Sequence, residues 1–208
     1  MKLKRILSNA VVALILFFVK CSTESSKKEI KSKAIELNDR AMIIYSEAIF
    51  KPLDVSRDEL NKANNLLKQA IEIDENFVLA YINRANVLIK LKEYEEAINL
   101  LQRASELKEN FAEVISMQGF LYEKIGNLDS ANKKYQQAIE AYNKRIADNS
   151  NNIEDKVSRS FMLIFIEDKN TALEEIKKLS EEYPENPLVR EMEQTIRNFN
   201  REAYIKDL

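Results

Sequence analysis

Residues 78–145 read as VLAYINRANVLIKLKEYEEAINLLQRASELKENF (78–111) followed by AEVISMQGFLYEKIGNLDSANKKYQQAIEAYNKR (112–145), two segments of equal length whose residue types agree place by place. Ala85 of the first is answered by Gly119 of the second, and Ala97, Leu101 and Ala104 by Ala131, Tyr135 and Ala138, each 34 residues on. Subtracting the same interval from the first three-residue set gives Ala63, Leu67 and Ala70, so a third copy shares the phase. A period of this length is one helix-turn-helix unit that cannot bury its apolar face alone and stacks on its neighbours. The residue types follow from distance. Two helices of a hairpin approach closely only where side chains are small, so Ala or Gly marks the crossing and larger residues fill the flanks.

Composition agrees with a helical array. Only two glycines and three prolines occur in 208 residues, while strong helix formers are abundant, and no strand is expected. The formal charge is −2, and the first twenty residues hold four cations and no acid, which leaves −6 for the body. Such a body lacks the basic footprint that phosphate backbones require, so nucleic acid is excluded as the expected partner. The chain has no histidine, the commonest general base and metal ligand, and its single cysteine cannot form an internal disulfide. No Gly-rich phosphate loop, H-E-x-x-H or G-x-S-x-G motif is present. No catalytic residue, metal site, cofactor or small-molecule substrate is expected, and the acids, such as Glu93, Glu95 and Glu96 at a helix start, read as a solvated face favoured by the helix dipole.

Taken in order, the apolar spacing of Ile35, Leu37, Ala41, Ile44, Tyr45 and Ala48 predicts a helix from about 33 to 50. Pro52 interrupts within a long connection, and Ser56 with Glu59 reads as a capping box that restarts the chain as a helix. Asn76 is expected to cap the next helix. Tyr94 and Leu128 open the second helix of each central hairpin. After Ala138 the register slips: the helix runs on through Ile146, and DNSNN (148–152) makes a break and a cap. A fourth hairpin follows, with Ser160 in the small place and Ala172, Ile176 and Leu179 on its second helix. Its Ala172 lies 41 residues after Ala131, seven more than the period, which two extra helical turns absorb. Pro187 starts a last helix to about Tyr204, polar on one side, as an open array needs to seal its end.

The set Tyr81, Ala85, Leu88, Ala97, Leu101, Ala104, filled again by Ile115, Gly119, Tyr122, Ala131, Tyr135, Ala138, resembles the tetratricopeptide repeat (TPR). The resemblance implies an all-α, right-handed superhelical solenoid of antiparallel hairpins over 34–208. About four repeats are expected (34–77, 78–111, 112–152, 153–186), with a capping helix at 187–204. It also implies a concave groove lined by the first helix of each hairpin, where a protein or peptide partner lies. The groove candidates are Leu79, Ile82, Asn83, Asn86, Ile89 and Lys90, then Glu113, Ser116, Phe120, Glu123 and Lys124, then Val157, Phe161, Ile164 and Phe165. Asn83 and Asn86 would hold a bound backbone through their amides, with Phe120, Phe161 and Phe165 as pockets for apolar anchors. The alternative is that the final helices bury these aromatics and Asn83 serves a local polar group. The clamp by which some members grip a terminal carboxylate is not matched: Asn38 and Met42 stand before Asn83, and Glu113 and Met117 after it.

At the N-terminus, Lys2, Lys4 and Arg5 precede a fourteen-residue, mostly apolar run, Ile6 to Val19, interrupted by Ser8 and Asn9 and shorter than the ~20 residues of a bilayer span. Cys21 follows, then a polar stretch. This layout resembles a bacterial lipoprotein signal (1–20), with Cys21 as the lipidated residue and 21–33 as a flexible tether. Phe18 and Lys20 depart from that motif, and the alternative is an uncleaved anchor. Either places the body at a membrane of the cell envelope, facing periplasm or exterior; a cytoplasmic protein is the third alternative. The expected function is a membrane-tethered scaffold for a protein or peptide partner, an assembly factor for envelope machinery by analogy. A self-associating structural protein and a helical enzyme are the competing classes.

Overall fold

The computed structural model describes residues 30–208; the signal segment, Cys21 and most of the tether predicted at 21–33 lie outside the described residues. The described residues contain helices and no strand. The helices are α1 (30–48), α2 (Leu53–Ile73), α3 (Val78–Leu91), α4 (Tyr94–Leu107), α5 (Ala112–Lys124), α6 (Leu128–Asp148), α7 (Ile153–Ile166), α8 (Lys169–Glu182), α9 (Pro187–Asn198) and α10 (Arg201–Asp207). From α2 to α9 each helix packs on the next, which is the nearest-neighbour plan of a solenoid. The all-α repeat array read from the sequence is the fold observed.

Two kinds of helix alternate because they are buried differently. α4 and α8 bury one narrow stripe, Ala97, Ile98, Leu101 and Ala104 in one and Ala172, Ile176 and Leu179 in the other, at the three-to-four spacing of a single apolar face. α3, α5 and α7 are buried on more than one side, since each lies between its own hairpin partner and the preceding helix. α3 accordingly buries Ala80, Tyr81, Asn83, Ala85, Val87, Leu88 and Leu91. The small-residue rule has a direct geometric reason at Gly119. A Cβ there would stand 2.5 Å from Cδ1 of Tyr135, inside any permitted contact.

The hairpin turn repeats with the sequence. Lys92 closes α3 in the left-handed region (φ 66°), and Glu93 N–H returns to Leu88 O at 2.9 Å. One period later Gly126 (φ 81°) and Asn127 N–H to Tyr122 O, 2.8 Å, rebuild the same turn. From α6 onward the starts are capped by side chains: Asn127, Asn152, Asp168, Asn186 and Asn200 each accept a backbone N–H of the first turn.

Four local readings of the sequence are corrected. α2 begins at Leu53, not at Ser56; Pro52 is the N-cap, Ser56 Oγ–H donates to Pro52 O at 3.1 Å from inside the helix, and Glu59 pairs with Lys51. The connection from α1 is therefore only residues 49–52, because proline's fixed φ starts a helix as readily as it ends one. Asn76 does not cap α3; Phe77 takes that place and Asn76 N–H bonds Asp74 Oδ1. The last helix stops at Asn198, and Asn200 caps a separate α10 that turns away from α9.

α6 has 21 residues against 14 in α4, and its two additional turns carry a polar junction. Arg145 donates to both carboxylate oxygens of Glu113 on α5 at 2.9 Å and to Asp155 on α7 at 3.0 Å. Asp155, 1% exposed, also accepts from the Asn152 amide at 2.6 Å. Burial raises the Asp155 pKa despite the Arg145 charge beside it.

Candidate functional site: the face of α3, α5 and α7

The predicted groove residues fall into three groups once their surroundings are known. Asn86, Ile89 and Lys90 of α3 line an open cavity of about 410 Å³ with Tyr45 and Ile49 of the α1 end, Leu53, Lys92, Asp207 and Leu208. Ile82 is half-buried against the core of the first repeats, and Leu79 is 50% exposed. Asn83 is not free to hold a ligand backbone, since its Nδ2 donates to Asn38 Oδ1 on α1 at 2.8 Å and both residues are buried. This long-range amide pair fixes α1 to α3. It is the local polar role that the sequence left as an alternative.

Phe120, Glu123 and Lys124 of α5 and Phe161 and Phe165 of α7 converge, but the chain's own C-terminal segment lies on them. Phe120 and Phe165 are buried, their ring centroids 4.9 Å apart, and Phe120 meets Tyr204 edge-on at 5.3 Å. Phe161 meets Phe199 edge-on at 5.1 Å. Phe165 is thereby closed off as a pocket, because apolar rings on one helix face attract whatever apolar segment is at hand and residues 199–208 are tethered beside them, while Phe120 and Phe161 still line a smaller open cavity of about 180 Å³ with Glu113 and Ser116. Val157 and Ile164 are core residues of the same region, 1% and 7% exposed. Ser116 is buried with its hydroxyl donating to Ala112 O, and Glu113 is held by Arg145.

Glu123 is the polar centre of the face. It accepts two hydrogen bonds from Arg201, at 2.8 and 2.9 Å, and one from the Tyr135 hydroxyl at 2.7 Å. Burial opposes its ionisation, but the bonds from Arg201 and Tyr135 outweigh that and hold its pKa below the ordinary value. The Tyr135 hydroxyl is pushed strongly upward by burial and by the Glu123 carboxylate, so it stays a donor. Burial also raises the Tyr142 hydroxyl to about 12. The Arg201 guanidinium lies 5.1 Å from the Phe165 ring centroid, and its Nη1 reaches Phe165 O.

Beyond Arg201 the segment runs backwards across the array, from α7 past α5 toward α3. Lys124 Nζ donates to Lys206 O at 2.5 Å, the Tyr94 hydroxyl donates to Leu208 O at 3.3 Å, and Leu208 ends in the cavity beside Asn86 and Ile89. From the sequence, Phe199 and Tyr204 belong to a capping helix and Arg201 to its charged face, and Leu208 is not singled out. The available signal was the apolar spacing Tyr204, Ile205, Leu208 after the cap-type Asn200. Among the described residues no three His, Cys, Asp or Glu side chains are placed to hold a metal ion, and no helix is long and apolar enough to cross a membrane.

The family match and one superposition agree with this architecture. Residues 55–119, from α2 into α5, match the tetratricopeptide repeat family. No curated protein matches the sequence. Among solved structures, a tetratricopeptide repeat protein from Parabacteroides merdae superposes with a TM-score of 0.51 at 15% identity, covering 88% of this chain and 74% of its own. YrrB, described as a TPR protein with an unusual peptide-binding site, gives a TM-score of 0.47 at 20% identity, covering 91% and 89%. The second TPR of Spaghetti (RPAP3), solved with the HSP90 peptide SRMEEVD, gives 0.48 at 20% identity, covering 56% of this chain and 98% of that one. With the 34-residue phase, the small-residue crossings and the matched segment in agreement, the described residues form an all-α solenoid of the tetratricopeptide-repeat type, and residues 55–119 match the repeat family itself.

Proposed function

We propose that this protein is a membrane-tethered scaffold of a bacterial cell envelope that holds a segment of a partner protein along the face of α3, α5 and α7, and serves in assembling envelope machinery. The observation that carries the reading is the occupancy of that face by residues 199–208. A short amphipathic helix and its flanking extended residue seat there with aromatic, ionic and backbone contacts, which is the chemistry of helix-in-groove recognition. The cavity beyond Leu208, lined by Tyr45, Asn86, Ile89 and Lys90, continues the same track and is open to a ligand. The tether rests on the sequence: a basic start, a short apolar run and Cys21 ahead of a polar stretch. A scaffold of this kind changes no bond; it raises the local concentration of its partner at the membrane.

Crosslinking and affinity capture from the native envelope test the groove. Ile89→Asp places a charge in the cavity without touching the buried Phe120 cluster, and it should abolish recovery of the partner taken by the wild-type chain. Equal recovery by both chains overturns the groove reading. For the anchor, Cys21→Ser should remove lipid labelling and release the protein from the membrane pellet. A wild-type chain that takes no lipid label yet stays in the pellet defeats the lipoprotein assignment.

A further inference from the structure

The contacts of segment 199–208 specify more than occupancy. Glu123 is a carboxylate 13% exposed, and its cation comes from the segment, not from the array: Arg201 is its ion-pair partner across 78 residues of sequence. Three residues after Arg201, Tyr204 covers Phe120, and Ile205 and Leu208 follow at the next helical positions on the same side. The segment itself is weakly held. α10 has seven residues, too few to form a stable helix alone, and none of its residues is fully buried. Asp207 and Leu208 form one wall of the open cavity of about 410 Å³ that Ile89 and Lys90 also line.

We propose that this face selects a helical segment of another protein carrying a cation, an aromatic residue three positions later, and aliphatic residues four and seven positions after the cation. The order is that of Arg201, Tyr204, Ile205 and Leu208, and residues 199–208 are the resident competitor for the site. The inference rests on the groove reading above. Its physical basis is replacement: displacing the segment leaves Glu123 with only the Tyr135 hydroxyl, and uncovers Phe120, Phe161 and Phe165. An occupant must therefore return both a guanidinium or ammonium group and an aromatic face. A partner that also fills the α3 cavity gains contacts that residues 199–208 do not make, which lets it win against a tethered rival.

The test uses the full chain and a labelled synthetic peptide of residues 199–208, FNREAYIKDL. The wild-type chain should bind it weakly, and the variant Arg201→Ser with Tyr204→Ser, whose own segment is released, about tenfold more tightly or better, because the competent fraction rises. Adding Glu123→Gln to the released variant should lower that affinity about tenfold, and a scrambled peptide should not bind. Equal affinity of wild-type and released chains, or indifference to Glu123→Gln, overturns the proposal. Should the variants not fold, amide exchange on the wild-type chain decides: excess peptide should speed exchange of residues 201–207 and leave α5 and α6 unchanged, and no change overturns it. If the wild-type mass doubles with concentration and the peptide reverses the doubling, the occupant is a second copy's segment, and the partner assignment falls. Capture of an envelope protein that requires Ile89 but not Glu123 sinks this inference and leaves the groove reading standing. Peptide binding that requires Glu123, with envelope capture indifferent to Ile89, does the reverse.

Discussion

Gly119 has no side chain because Tyr135 fills the space one would take. In the preceding repeat the same crossing is Ala85 against Leu101, and in the last it is Ser160 against Ile176; only opposite the largest ring does the small residue shrink to glycine. Gly119→Ala should therefore destabilise, although alanine is the better helix former. An added Cβ stands 2.5 Å from the Tyr135 ring, and overpacking of this kind costs about 1–3 kcal/mol, more than the ~1 kcal/mol of helix propensity gained. Thermal denaturation of the variant checks the sign, and the paired change Gly119→Ala with Tyr135→Leu, which copies the first repeat, should recover part of the loss. Residues of this kind were legible in the sequence because they recur with the period. The bonds of Asn83 and Glu123 were not, although both residues stand among the groove candidates: their partners, Asn38 and Arg201, lie 45 and 78 residues away, a separation that no helical spacing connects.

At the scale of elements, repetition exposes an imperfection. Lys92 and Gly126 occupy the same left-handed turn one period apart, and a lysine there carries a steric cost that glycine avoids. Lys92→Gly should raise stability by about 0.5–1 kcal/mol, measured as an upward shift of the urea midpoint with an unchanged slope. The regular hairpins α3–α4 and α5–α6 were legible down to the opening residues Tyr94 and Leu128. Element starts outside them were less so, since Ser56 with Glu59 imitates a capping box that Pro52 pre-empts. The division of the last helix was hidden because Asn200 sits within an otherwise continuous helical pattern. The two extra turns of α6 were visible as a shift of seven residues, yet nothing in the spacing reveals that Arg145 uses them to join Glu113 to Asp155.

Among the described residues the core divides in two. α1–α4 form one cluster with Val114 and Leu121 of α5, and Phe120 and Ala112 of α5 turn the other way into a second cluster with α6–α10. α5 is the common wall, and it also carries Glu123. The acid response of α10 follows from that carboxylate. Its folded pKa is lowered by Arg201 and Tyr135 against the opposing effect of burial, so the stabilisation is complete above the ordinary glutamate value of about 4.3 and is lost as pH falls through the lower folded value. The groups facing it, Arg201 and Tyr135, keep their charge states throughout that range. Amide exchange or limited proteolysis should thus show α10 released in acid ahead of α5 and α6. Simultaneous loss of all three would contradict this.

The backward run of residues 199–208 also sets how the molecule carries load. A pull at residue 208 meets the attachments one at a time, first Leu208 on Tyr94, then Lys206 on Lys124, then Tyr204 on Phe120, and last Arg201 on Glu123, so the segment peels at low force. A pull at residue 30 acts instead on α1, whose Asn38 is bonded to Asn83 and whose Leu37, Ala41 and Ala48 lie in the first core, and these attachments resist together. The two ends of the described chain are mechanically unlike, one a zipper and the other an anchorage.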